Sequence, residues 1–178
     1  GQRGSTKVET TFGAGNHRLR LEAADVFVTV SVAGETVGLN EPLRVGPFEV
    51  TFSEVTYESG LFYQYKAGRR PVTELIEARP DETLVVVRGT AKNVSSGAAI
   101  FDADRFGVAD GRVFATIDGQ SLATVRLDGS PLAGARVDPG RSVRGWLLAR
   151  VDRSDVDEGF TLGWQADTSD TAFEKQWS

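Results

Sequence analysis

Cysteine is missing from all 178 residues. Its absence removes disulfides, thiolate nucleophiles and cysteine-ligated zinc or iron–sulfur centres together. Methionine is missing too, even at the first position, where the chain opens Gly-Gln-Arg-Gly. That opening points to a leader or membrane anchor already removed, or to an excised stretch, and export is the expectation drawn from it. Histidine occurs once, at His17. A Ser/His/acid hydrolase needs an imidazole base, and no Gly-x-Ser-x-Gly elbow accompanies this one, so His17 reads as a surface residue on a strand edge. No apolar run is long enough to span a bilayer. Acidic residues outnumber basic ones, 25 to 20, for a net charge of −5. Arg69-Arg70 is a pair, and Arg141 and Arg144 are separated, so no basic patch forms and nucleic acid is not an expected partner. Only four of the 20 basic residues are lysine (Lys7, Lys66, Lys92 and Lys175), a bias that suggests a GC-rich, archaeal source.

What the chain has is alternation. In Leu84–Asn93, Val85, Val87, Gly89 and Ala91 share one face while Arg88, Thr90 and Lys92 share the other, which predicts a long central strand with one face turned to water. Ser142–Val151 repeats the pattern with Val143, Gly145, Leu147, Ala149 and Val151. It is introduced by Asp138-Pro139-Gly140, where Pro presets φ and Gly accepts a positive one. Phe48, Val50 and Phe52 share a face, after which the apolar set shifts to Val55 and Tyr57. That change of parity predicts a bulge near Ser53-Glu54. Val26–Val32 and Phe160–Trp164 also alternate cleanly, and Lys7–Phe12 does so weakly. Asp110-Gly111, Asp118-Gly119 and Asp128-Gly129 read as tight turns. Val72–Arg79 has Pro71 before it, good helix formers within it and Pro80 after it, which predicts the one short helix. Many short strands with turn signals between them predict an all-β sandwich or barrel.

The series Gly34-Glu35-Thr36-Val37, Phe48-Glu49-Val50-Thr51-Phe52, Leu84-Val85-Val86-Val87, Lys92-Asn93, Asp138-Pro139-Gly140-Arg141-Ser142-Val143 and Gly145 resembles the telokin-like, immunoglobulin-type extracytoplasmic domain. That domain is found in bacterial and archaeal lipoproteins and is catalogued mostly as a domain of unknown function. The likeness covers about residues 34–166. It implies an all-β, immunoglobulin-like antiparallel β-sandwich outside the cytoplasm, secreted or anchored at the cell surface, and it carries over no catalytic residues. The domain plan is then an N-terminal extension with strands (1–33), the sandwich (34–166) and a C-terminal strand or tail (167–178).

Chemistry is sparse. Asp102, Asp104 and Asp110, and Asp152, Asp155, Asp157 and Glu158, are acidic turns without calcium-loop spacing, and no metal or other cofactor is expected. Gly13-Ala14-Gly15 lacks the helix that a nucleotide loop needs. Asn93-Val94-Ser95 is an N-glycosylation triplet, which makes Asn93 a glycosylation candidate. Tyr57, Phe62, Tyr63 and Tyr65 either plug the open end of the sandwich or, with Arg69 and Arg70, form a partner- or sugar-binding patch. Phe173 and Trp177 in the tail, like Lys7–Phe12 at the other end, either add edge strands to their own sheet or pair with another subunit. These readings lead to a non-enzymatic, extracytoplasmic sandwich that contacts a protein partner or itself, as a surface or filament assembly subunit or an anchored accessory domain. The alternative is a module binding carbohydrate or a divalent cation.

Overall fold

The computed structural model describes residues 15–21, 26–32, 34–108, 111–114, 116–117, 120–121, 127, 129–157, 161–166 and 173–178. Within them the strands are β1 (Gly15–Leu21), β2 (Val26–Val32), β3 (Glu35–Val37), β4 (Leu43–Val45), β5 (Phe48–Glu58), β6 (Gly60–Ala67), β7 (Arg70–Glu77), β8 (Glu82–Asn93) and β9 (Ala99–Ile100). They continue with β10 (Phe106–Val108), β11 (Gly111–Phe114), β12 (Thr116–Ile117), β13 (Gln120–Ser121), β14 (Ser130–Pro131), β15 (Arg136–Val137), β16 (Ser142–Asp152), β17 (Leu162–Trp164) and β18 (Lys175–Trp177). One sheet holds ten of these strands in the order β3-β18-β17-β10-β11-β16-β8-β5-β4, with β14 beside β16.

The two long strands expected at the centre are there. β8 lies between β5 and β16 and is antiparallel to both, with Val87 opposite Leu147 and Gly89 opposite Gly145. The pairing of β5 with β8 shifts register between Phe52 and Glu54, where the change of parity placed a bulge. Before β16, Gly140 has φ +71° and the Arg141 N–H donates to the Asp138 carbonyl at 3.0 Å, the turn that Pro139-Gly140 demands. Gly89 is required for a different reason. A Cβ there would stand 2.6 Å from the Thr51 carbonyl oxygen and 2.7 Å from the Phe52 ring, so no side chain fits between β8 and β5.

The sheet doubles back, and its two halves face each other across a single core, which makes the fold an all-β sandwich. Val50, Phe52, Val85, Val87, Leu147 and Ala149 on one layer meet Phe106, Val108, Leu162 and Trp177 on the other. The Phe52 ring stands edge-on to Trp177 at 4.9 Å and to Phe106 at 5.9 Å, the geometry favoured by aromatic quadrupoles.

Two expectations are corrected. The outer face of β8 turns to water only in its second half: Lys92 is exposed, whereas Leu84 and Val86 are buried under a second cluster with Leu61, Tyr63, Ile76, Trp146 and Leu148. The cover is the hairpin β6–β7, so Val72–Arg79 is largely strand rather than helix. Its helix formers yield to the chance of burying Ile76 with a period of two, a tertiary override of a weak local propensity. The short α-helix lies instead at α1 (Arg153–Asp157), which occupies much of the acidic stretch 152–158. Residues 7–12, 110, 118–119, 128 and 160 lie outside the described residues, so the strand and turn readings placed there have no counterpart in this description.

Candidate interaction surface

The hairpin is built by its turn and by the alternation on either side of it. Ala67 pairs with Arg70 across a two-residue loop, Gly68-Arg69, in which Gly68 has φ +65°. A glycine first in such a loop matches the twist of the two strands. Pro71 has no N–H to give, and it stands near the start of β7, in a two-stranded sheet where one side of the strand has no ladder to complete. Leu61, Tyr63 and Ile76 point at the main sheet and are buried. The Tyr63 hydroxyl donates to the Glu74 carboxylate on the opposite strand, which satisfies its polar tip at the edge of the buried cluster.

The other parity faces outward. Phe62 is 55% exposed and Leu75, directly opposite on β7, is 45% exposed. Beside them the Gln64 amide donates to the Thr73 hydroxyl at 3.0 Å. Arg69 and Arg70 are exposed at the tip. At the base, hydrogen bonds gather the neighbouring loops. The Ala78 N–H donates to the Ser59 carbonyl at 2.9 Å, and the Arg153 N–H to the Asp81 carbonyl at 2.8 Å. Glu82 there lies 3.7 Å from both Arg79 and Arg150.

The structure therefore divides the aromatic group. Tyr63 is a covering residue, Phe62 is a solvent-facing one, and the Tyr65 side chain lies outside the described set. Tyr57 is 49% exposed at the end of β5, away from the hairpin face, where a cleft of about 440 Å³ is lined by Tyr57, Glu58, Ser59, Thr83, Arg153 and Val156. Burial of its ring pushes the Tyr57 phenol above its usual value. Leu75 escaped the sequence reading because a helix assigned to 72–79 hides its strand parity; its register opposite Phe62 was the signal.

The tail residues serve their own subunit. β18 lies between β17, to which it is antiparallel, and β3, to which it is parallel. Trp177 is fully buried and its indole N–H donates to the Glu41 carbonyl at 3.3 Å. Half-buried Phe173 covers Gly163 so closely that a Cβ there would lie 1.9 Å from its ring. Of the two readings open for this segment, the structure shows the strand added to its own sheet, and Trp177 presents no surface to a neighbour.

Asn93 is corrected as a glycosylation candidate. It is fully buried, and its Nδ2, the atom a glycan would occupy, donates to the Gly97 and Val137 carbonyls at 2.7 and 2.8 Å. Its Oδ1 accepts from the Ser95 N–H and hydroxyl at 2.9 and 2.7 Å. Both N–H donors and both oxygen lone pairs of the amide are in use. Asn93 and Ser95 thus close a turn and tie it to β15.

Asp102 likewise has local work. One carboxylate oxygen caps the short 3₁₀ turn at Ala103–Arg105 through the Asp104 N–H, and the other holds Arg105 at 3.1 Å. Beside it a cleft of about 460 Å³ opens at the sandwich end, bounded by Pro47, Phe48, Ile100, Arg105, Phe106 and Trp164 among others, with Ile100 60% exposed at its rim. Among the described residues no three His, Asp or Glu side chains converge as metal ligands would. Nor is any described helix long and apolar enough to cross a membrane.

No family model matches the chain, and no curated protein matches it. Three solved structures resemble it. An uncharacterized β-sandwich protein from Clostridium difficile is 10% identical, with a TM-score of 0.46 over 81% of this chain and 93% of that one. The yjhA protein from Bacillus subtilis is 17% identical, with a TM-score of 0.45 over 75% and 85% of the two chains. A conserved hypothetical protein from Bacillus anthracis is 14% identical, with a TM-score of 0.40 over 70% and 85%. The sandwich assignment rests on this chain's own sheet and core.

Proposed function

We propose that this chain is a non-enzymatic protein-contact domain that works outside the cytoplasm. In this reading it is an assembly subunit of a surface structure or filament, or an anchored accessory domain, akin to the telokin-like, immunoglobulin-type domains of lipoproteins. The observation that carries the proposal is the outward face of β6–β7, where Phe62 and Leu75 stand exposed side by side with Arg69 and Arg70 at the tip. An aromatic and a leucine paired on the solvent side of the ribbon give exposed apolar area, and aromatic side chains and arginine are among the residue types enriched at binding surfaces. Tyr63 turning inward rather than lining a hollow favours contact with a protein over capture of a small ligand. The absence of a thiol and the single imidazole in the sequence support the non-enzymatic part.

A second reading, a carbohydrate-binding module, is favoured by the cleft of about 460 Å³, in which Trp164 and Arg105 meet an apolar floor. Binding of the purified chain to envelope proteins from the producing cells separates the two. Under the contact reading Phe62→Ser/Leu75→Ser keeps the melting temperature and loses saturable binding. Equal binding by wild type and variant refutes it, and saturable sugar binding lost in Arg105→Ala supports the second reading instead.

A further inference from the structure

The hairpin is graded along its length. Arg69 in the loop and Arg70 at the start of β7, on the parity of Ile76 rather than of Leu75, are both exposed and make the tip cationic. On the outward face Phe62 and Leu75 form an apolar pair nearer the base, with Gln64 and Thr73 between them and the tip. Around the base stand Glu58, Glu77, Asp81, Glu82 and Asp152, five carboxylates against the three guanidinium groups of Arg79, Arg150 and Arg153. Of these, Glu77 has the same outward parity as Leu75. An eight-residue strand separates the two ends, roughly 25 Å. That exceeds a Debye length of about 8 Å at physiological salt, so the ends act as separate charges.

We propose that this face docks a second copy of the chain, the two hairpins lying antiparallel about a two-fold axis. The occupant follows from the charge pattern, in a deepening of the contact reading above, on which it rests. Antiparallel apposition sets the arginine tip of each copy near the acidic base of the other, and the two Phe62–Leu75 pairs flank the axis, each covered by the other copy's ribbon. Parallel apposition would stack tip on tip and base on base, with like charges facing, so the pattern selects one orientation as well as one partner. The interface is isologous and closes as a dimer. A two-stranded ribbon of this size covers less than the roughly 800 Å² per partner of a standard interface, so association is weak and depends on concentration. Because the attraction is between exposed charges at the rim, it also weakens with added salt.

Sedimentation equilibrium of the full chain over a concentration series tests this at low and physiological salt. Wild type moves from 19.2 kDa toward twice that mass. Arg69→Glu/Arg70→Glu makes tip and base both negative, and Glu77→Arg/Asp81→Arg makes both positive, so each alone stays monomeric. An equimolar mixture of the two restores the dimer, because each tip again meets a base of opposite sign. All four positions are exposed, so the melting temperatures should stay near wild type; if a reversed variant fails to fold, Arg69→Gln/Arg70→Gln replaces it and lowers the association constant. A wild type that remains monomeric throughout the series, or a mixture that does not associate, overturns the proposal. Should the wild type be monomeric while Phe62→Ser/Leu75→Ser loses envelope binding, the dimer falls and the contact reading stands. If those substitutions change neither property, both fall.

Discussion

Replacing Asn93 by aspartate changes one NH₂ to an oxygen and leaves the shape intact, yet it is predicted to be among the most damaging single changes in the chain. In the native fold Nδ2 is the donor for two carbonyls, Gly97 and Val137, which lie 4 and 44 residues from Asn93 respectively. An aspartate oxygen there accepts rather than donates, so the buried Val137 carbonyl loses its partner, the Gly97 carbonyl keeps only the Ser95 hydroxyl at 2.9 Å, and a carboxylate takes the place of the amide at a residue with no solvent exposure. Orphaning a buried polar group costs about 1–3 kcal/mol. The Val137 carbonyl is one such loss, so the cost is roughly 1–3 kcal/mol before any penalty for burying the charge, against a total stability of about 5–15 kcal/mol. For a chain of this length the lost hydrogen bond alone corresponds to a fall in melting temperature of about 2–12 °C, and the buried charge adds to it. Thermal denaturation followed by circular dichroism is the assay, with Asn93→Ala as a companion that removes the donor without adding charge. A melting temperature of Asn93→Asp within about 2 °C of wild type would refute the role assigned to this amide. The same geometry predicts that peptide mass mapping of the native protein finds Asn93 unmodified.

Three further outcomes follow from the packing. Val87→Asp should unfold the domain by placing a carboxylate in the core, whereas Arg88→Asp, at a half-exposed position 3.4 Å from Glu54, should cost about 1 kcal/mol or less; equal melting temperatures would contradict the register of β8. Trp177→Ala should cost about 3–5 kcal/mol and expose β3 to faster amide exchange, since β18 is its ladder neighbour; unchanged exchange in residues 35–37 would argue against the strand order. Tyr57 should ionise above the ordinary phenol value of 10.0. Its neutral form is favoured in the fold, so its contribution to stability is complete below that value and is lost as pH rises through the raised one; an ultraviolet titration in which Tyr57→Phe removes no late-ionising phenol would count against this.

Much of the architecture was legible because it is written in a period of two. The apolar faces of β8 and β16, the bulge in β5 and the turn at Asp138–Arg141 each follow from side-chain parity or from what Pro and Gly permit. The hairpin was not legible, because Val72–Arg79 carries two signals at once. Its composition and flanking prolines say helix, and only the contact of Ile76 with Leu61 and Tyr63 settles it as strand. That misreading also concealed Leu75 and turned attention to the tyrosines. Trp177 and Asn93 were hidden for a related reason. A polar tail and an Asn-x-Ser triplet look exposed, and their burial depends on partners more than a hundred residues away in the first case and at Val137 in the second.

The central claim is that the outward face of β6–β7 is a protein contact surface, and a photoreactive phenylalanine analogue tests it most directly. Placed at Phe62 in the producing cells, it is predicted to yield a discrete cross-linked protein band on irradiation, while the same analogue at Ile100, equally exposed on another face, yields none. Cross-linking at Ile100 with none at Phe62 would contradict the account.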